Sequence, residues 1–169
     1  MSSKPKAVLG FDPGASGGLC LMSGSVIEAI DFSTATLVGY REQIVKWQET
    51  YDIYGAGLEK VNAMPGQGVT SMFSFGQRFG ELIGLCVAMQ IPIYMIQPKQ
   101  WQSTLAIKDK DKLTKANRKK AKKAIAQAVS LIYPSAYSVM YTVRGAIKDG
   151  VADAIGIAHH LSTTINTKV

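Results

Sequence analysis

At 169 residues, 47% of them apolar and 18% charged, the chain is long enough for one ordinary globular core and too apolar for a disordered tail. It is also too short for a fold that needs two lobes. Nineteen Lys and Arg against 12 Asp and Glu give a net charge of +7, which suits an anionic partner.

Residues 7–11 form a short apolar run ending at Asp12, and Pro13-Gly14 breaks it. Residues 17–22 read as a second strand, Ser23-Gly24 as a tight turn and 26–32 as a third strand, which predicts an antiparallel meander. Residues 36–50 have helical spacing, with Leu37, Tyr40, Ile44 and Trp47 on one stripe. A fourth strand is predicted over 52–59, ending in Leu58-Glu59, and a loop over 62–68. A long helix follows over 69–89, apolar on more than one side, with Gly76, Gly80 and Gly84 recurring every four positions as expected of close packing, either in the core or at a helix–helix seam between subunits. Residues 91–96 make a fifth strand. Pro98 opens a helix over 99–105, and 116–132 is a strong helix former. Tyr133-Pro134-Ser135 stops it, 138–147 reads as irregular, and Asp149 starts a last helix to about 161. Residues 1–5 and 163–169 are expected to be tails of a single domain.

The longest apolar stretch in the middle, 82–89, is well short of the ~20 residues of a membrane span. The first residues lack the long apolar run of a secretory signal, so a cytoplasmic protein with no membrane partner is expected. Cys20 and Cys86 lack metal-ligand spacing and read as buried thiols. His159-His160 are expected to place one ring in solvent and one in the packing, with no role in chemistry.

The charge excess has one address. Lys108, Lys110, Lys112, Lys115, Arg118, Lys119, Lys120, Lys122 and Lys123 are opposed locally only by Asp109 and Asp111, and the rest of the chain is balanced. A solvated helix face would alternate signs. A block of one sign suits a polyanion such as nucleic acid.

Three hairpin strands followed by α/β units predict a mixed sheet flanked by helices. This is the element order of the ribonuclease-H-like architecture: five strands, three antiparallel and then parallel ones. In that order Asp12 ends the first strand, Glu59 ends the fourth, and Asp149 and Asp153 lie one turn apart on the last helix. Taken singly, each acid has an ordinary reading: turn residue for Asp12, a partner of Lys60 for Glu59, N-cap for Asp149 and dipole complement for Asp153. Taken together, clustered carboxylates repel unless cations bind. Hard oxygen ligands select Mg²⁺ or Mn²⁺, and two such ions about 3.5–4 Å apart activate a water and stabilise the leaving oxygen of a phosphodiester.

These motifs resemble the RuvC family of Holliday junction resolvases. Gly10-Phe11-Asp12-Pro13-Gly14 is similar to the family's first-strand signature, Leu58-Glu59-Lys60-Val61 to its second acidic motif, and Asp149-Gly150-Val151-Ala152-Asp153-Ala154 to its closing helix. The run from Met64 to Gly76 and Gln97-Pro98-Lys99-Gln100-Trp101 look like the phage and chloroplast branch. The resemblance spans roughly residues 7–160. It implies a homodimeric, metal-dependent endonuclease of a bacterial or phage-infected cell, acting in DNA recombination and repair. Such an enzyme nicks opposing strands of four-way DNA junctions and leaves a 5′-phosphate and a 3′-hydroxyl.

By the same resemblance Asp12, Glu59, Asp149 and Asp153 are the catalytic acids and hold two Mg²⁺, with Mn²⁺ able to substitute. One departure concerns Asp149. Bacterial members space the last two carboxyl positions by three, whereas here that earlier position is Gly150. The resemblance also nominates DNA contacts: Asn62, Met72 and Phe73 near the junction centre, Lys99 and Trp101 on backbone, sugar or base, and Arg118, Lys119, Lys120, Lys122 and Lys123 on phosphates. Burial in the long helix is the alternative for Met72 and Phe73, and plain core the alternative for Trp101. The alternatives are a broader nuclease of flaps and other branched DNA, and a non-catalytic junction-binding module.

Overall fold

The computed structural model describes residues 3–33, 35–60, 68–107 and 118–165, with the Arg118 side chain left out. Its strands are β1 (Lys6–Asp12), β2 (Gly18–Ser23), β3 (Val26–Asp31), β4 (Asp52–Glu59) and β5 (Ile93–Ile96). Its helices are α1 (Leu37–Thr50), α2 (Val69–Ala88), α3 (Pro98–Thr104), α4 (Arg118–Ile132), α5 (Tyr137–Met140) and α6 (Asp149–Ile165).

The five strands form one sheet in the order β3-β2-β1-β4-β5. β1 pairs antiparallel with β2, and β2 with β3, while β4 lies parallel to both β1 and β5. This is the mixed sheet expected from the element order, and it is ribonuclease-H-like.

Strand alternation decides what each face of the sheet carries. Ala7, Leu9 and Phe11 of β1 and Ala56 and Leu58 of β4 point to one side, where they are buried with Tyr40, Ile44 and Trp47 of α1 and Leu82, Leu85 and Cys86 of α2. The opposite side takes Val8, Cys20, Met22 and Ile96 into a second core with α3, α4 and α6. Gly10 and Asp12 share the parity of Val8, so Asp12 emerges on the α6 side. Glu59 alternates with the Leu58 side of β4 and emerges there too.

Helix α6 lies very close to the sheet because the facing residues are small. A Cβ on Gly10 would come 2.2 Å from the Ala154 carbonyl oxygen. A Cβ on Gly150 would come 2.1 Å from the carbonyl oxygen of Ser16. Glycine within a strand or helix costs about 0.5–1 kcal/mol. That is less than the burial of a single large side chain contributes, about 1.5–3 kcal/mol. Val151, Ile155, Ile157 and Leu161 of α6 are all nearly inaccessible.

Several local expectations are corrected. The segment 138–147 is not wholly irregular: α5 covers its start, and an isolated bridge joins Tyr141 to Ile147. α6 continues to Ile165, so residues 163–165 are helix rather than tail. The glycine stripe of α2 is not packed against the described residues, because a Cβ at Gly76, Gly80 or Gly84 would meet nothing among them within 4 Å, which removes the core reading and leaves the seam between subunits open. Neither histidine simply faces solvent. His159 Nδ1 lies 2.8 Å from the Tyr133 hydroxyl and His160 Nδ1 lies 2.6 Å from Thr104 Oγ1. Among the described residues no helix is long and apolar enough to cross a membrane.

Candidate active site

Parallel pairing sets Phe11 beside Leu58. The next residues, Asp12 and Glu59, are therefore neighbours at the carboxyl ends of adjacent strands, where α/β sheets place their ligands. α6 crosses this end of the sheet through its glycine contacts and brings Asp153 and Asp149 to the same place. Asp153 accordingly lies within electrostatic reach of Asp12, Glu59, Asp149 and Lys122.

Each acid is held differently. Asp12 accepts the Gly14 N–H at 3.1 Å on Oδ1, so it is a turn residue as well as a member of the cluster. Glu59 accepts the indole N–H of Trp101 at 2.9 Å on Oε1. Asp149 is the first residue of α6 and takes the Lys122 ammonium of α4 on Oδ2. The reading of Glu59 as a partner of Lys60 is thus replaced by Trp101, and that of Asp149 as an N-cap by its pair with Lys122.

Burial is the main cause of the perturbed acidities. It raises Asp12 to about 6, and the Asp149 charge adds to it, while the Gly14 N–H and Lys122 oppose it. Burial and the Asp12 charge raise Glu59 to about 7 against the Trp101 hydrogen bond. Asp153 is held well above the ordinary carboxylate range by burial and then by its three acidic neighbours, with Lys122 opposing. Acids perturbed by burial and by one another in one place are a signature of functional sites.

The donor set suits a hard divalent cation: carboxylate oxygens in excess, with one ammonium for four acids. The side chains have not closed on one point, however. Among the described residues no three His, Cys, Asp or Glu side chains are close enough to hold a metal ion together. The donors fit a cation in chemistry, their spacing falls short of a ligand set, and Asp149 is engaged by Lys122.

The nominated DNA contacts separate. Trp101 is 1% exposed, so the core reading holds for it and the DNA-contact reading does not. Lys122 is half-buried at the acid cluster rather than standing on the outer surface. Lys99, Lys119, Lys120 and Lys123 are exposed. Met72 and Phe73 are exposed at the start of α2, Phe73 by 74%, so burial in the helix does not account for them. Asn62 and residues 108–117 lie outside the described residues. The roles of Trp101 and Lys122 at the acids were not foreseen. A partial signal was present in the small residues Gly150, Ala154, Gly156 and Ala158, which announce a close approach to α6.

No protein-family model matches the chain, and no curated protein does. Among solved structures, the chain is similar to Thermus thermophilus RuvC in complex with Holliday junction substrate, with a TM-score of 0.61 at 15% identity over 96% of each chain. A second structure of Thermus thermophilus RuvC gives 0.60 at the same identity and coverage. The likeness shows a shared fold over 96% of the chain.

Proposed function

We propose that this chain is a metal-dependent, structure-selective endonuclease that nicks opposing strands of four-way DNA junctions and leaves ligatable ends. What supports the reading most is that Asp12 and Glu59 end adjacent parallel strands, within electrostatic reach of Asp153, in a fold shared with a protein solved on a Holliday junction. The phage and chloroplast branch rests on the motif residues alone.

Asp12, Glu59 and Asp153 would hold divalent cations, Mg²⁺ or Mn²⁺, with Asp149 joining them when Lys122 releases it. Bound cations supply Lewis acidity that generates a nucleophile from water and stabilises the leaving oxygen of a phosphodiester. The chain's own part is to fix the acids. β1 and β4 set the spacing of Asp12 and Glu59, α6 sets Asp153, and Trp101 orients Glu59. Lys99, Lys119, Lys120 and Lys123 offer phosphate contacts that position DNA without reading its sequence. A homodimer fits the two-fold symmetry of the junction. The open face of α2, with Phe73 and Val87 exposed beside the unfilled glycine stripe, is a candidate surface for the second copy.

One observation favours a second reading, the non-catalytic junction-binding module: the acids have not closed into a metal-ligand set. One experiment separates the two. A labelled immobile four-way junction and a matched linear duplex are incubated with the protein in Mg²⁺ and in EDTA. Paired, ligatable nicks in the junction alone, abolished by EDTA, are expected. Flaps and forks cut as fast as the junction would move the assignment to a broader branched-DNA nuclease. Binding without cutting in Mg²⁺ and in Mn²⁺ would return the acids to structural roles.

A further inference from the structure

We infer that Trp101 is a positioning residue for Glu59: its indole N–H holds one carboxylate oxygen and so presents the other to a divalent cation. The inference rests on the metal-dependent reading above and deepens it.

The tryptophan is built in from three directions. Pro98 stands at the first position of α3, and the Gln97 N–H donates to the Gln100 side-chain carbonyl at 2.8 Å, which fixes the start of the helix. The ring is 1% exposed. It also lies against α6 where that helix has no side chain: a Cβ on Gly156 would come 2.7 Å from ring carbon Cε3. A large rigid side chain in this slot has little rotational freedom, so the direction of its N–H is set by the fold.

A buried indole N–H needs an acceptor. The one it has is Glu59 Oε1 at 2.9 Å, in the acid cluster. The choice of donor matters for the chemistry. An ammonium or guanidinium there would neutralise Glu59 and compete with an incoming cation. A neutral N–H fixes the plane of the carboxylate and leaves its charge and second oxygen available. Outer partners of metal-binding carboxylates act in this way, and their loss typically costs 10–100-fold in metal affinity or activity.

The molecule supplies its own control. Trp47 also donates to a glutamate, Glu28 Oε2 at 2.7 Å, but Glu28 sits on β3, outside the acid cluster. The same bond type in the same chain therefore tests packing without the metal.

Mn²⁺ binding is measured by calorimetry on the full chain and on the variants Trp101→Phe and Trp47→Phe. A fourth protein carries 3-benzothienylalanine at position 101, which keeps the bicyclic shape and replaces the N–H by sulfur. We expect about 10–100-fold weaker Mn²⁺ binding in both position-101 proteins. Trp47→Phe should bind as wild type, and junction binding in EDTA should be equal in all four. Position-101 proteins within about twofold of wild type would overturn the inference. So would a weak phenylalanine variant beside a benzothienyl protein that binds normally, because packing alone would then explain the loss. Failure of wild type itself to take up Mn²⁺ would overturn the metal-dependent reading, and with it this one.

Discussion

Glu59 and Asp149 belong to one acid cluster but are held in contrasting ways. Glu59 ends a central strand and is gripped by a buried, uncharged donor, Trp101. Asp149 opens the last helix and is gripped by a partly exposed ammonium, Lys122. The first bond orients a carboxylate and leaves its negative charge uncompensated. The second compensates the charge and blocks an oxygen. The cluster thus has an arm that the proposed cation would meet unopposed and an arm that a lysine occupies. α4 supplies that lysine from the basic segment, so the proposed phosphate contacts of α4 and the proposed release of Asp149 draw on the same helix.

The severest way to break the unopposed arm is to remove its neighbour at the strand end. Asp12→Asn keeps size and hydrogen bonding but removes a charge. It should lower junction cleavage by more than about 10²-fold, on the scale of losing a principal electrostatic element of a site. Junction binding in EDTA should stay intact, which a gel-shift titration beside a cleavage time course would show.

Gly10→Ala attacks both arms at once, because the added Cβ falls 2.2 Å from the Ala154 carbonyl oxygen and pushes α6 from the sheet. Overpacking of this kind costs about 1–3 kcal/mol. Denaturant midpoints should fall accordingly, and Mn²⁺ affinity should fall in the variant molecules that remain folded.

Acidity sharpens the comparison without a mutation. Asp12 and Glu59 titrate at about 6 and about 7, above the ordinary 3.8 and 4.5. Between those limits the folded chain holds more protons than the unfolded chain, so their contribution to stability is full below about pH 4 and declines as pH rises to about 7. In EDTA the melting temperature should therefore drop from pH 5 to pH 7.5, and Mg²⁺ should raise it more at pH 7.5 than at pH 5. An equal effect of Mg²⁺ at both values would contradict uncompensated acids.

The smallest effect concerns the occupied arm. Lys122→Met frees Asp149 and should tighten Mn²⁺ binding by up to about fivefold, the scale of a partly exposed ion pair. Weaker Mn²⁺ binding would mean that Lys122 builds the site rather than competes for it.

Much of this architecture was legible in the residues themselves. The apolar run at 7–11, the strand pattern of 52–59, the turn at Pro13-Gly14 and the helical stripes specify the elements, and the meander-first order selects the sheet. The acids were legible as a set because element ends converge in such a sheet. What stayed hidden depends on contacts between distant segments. Trp101 meets Glu59 across 42 positions and Lys122 meets Asp149 across 27, and no local pattern encodes either bond. The sequence leaves Trp101 open between a DNA contact and plain core, and the glycine at 156 opens the slot that buries it. The continuation of α6 to Ile165 was missed for a simpler reason. Ser162, Thr163 and Thr164 are weak helix formers, but each hydroxyl bonds back to a carbonyl of the preceding turn.

The central claim is that Asp12, Glu59 and Asp153 form a divalent-cation site. The most direct measurement is anomalous diffraction at the manganese edge from crystals grown in Mn²⁺. The account predicts anomalous density within ligand distance of Asp12, Glu59 Oε2 and Asp153, with Trp101 still on Glu59 Oε1. Crystals that bind Mn²⁺ elsewhere, or leave these three carboxylates without density at saturating Mn²⁺, would contradict it.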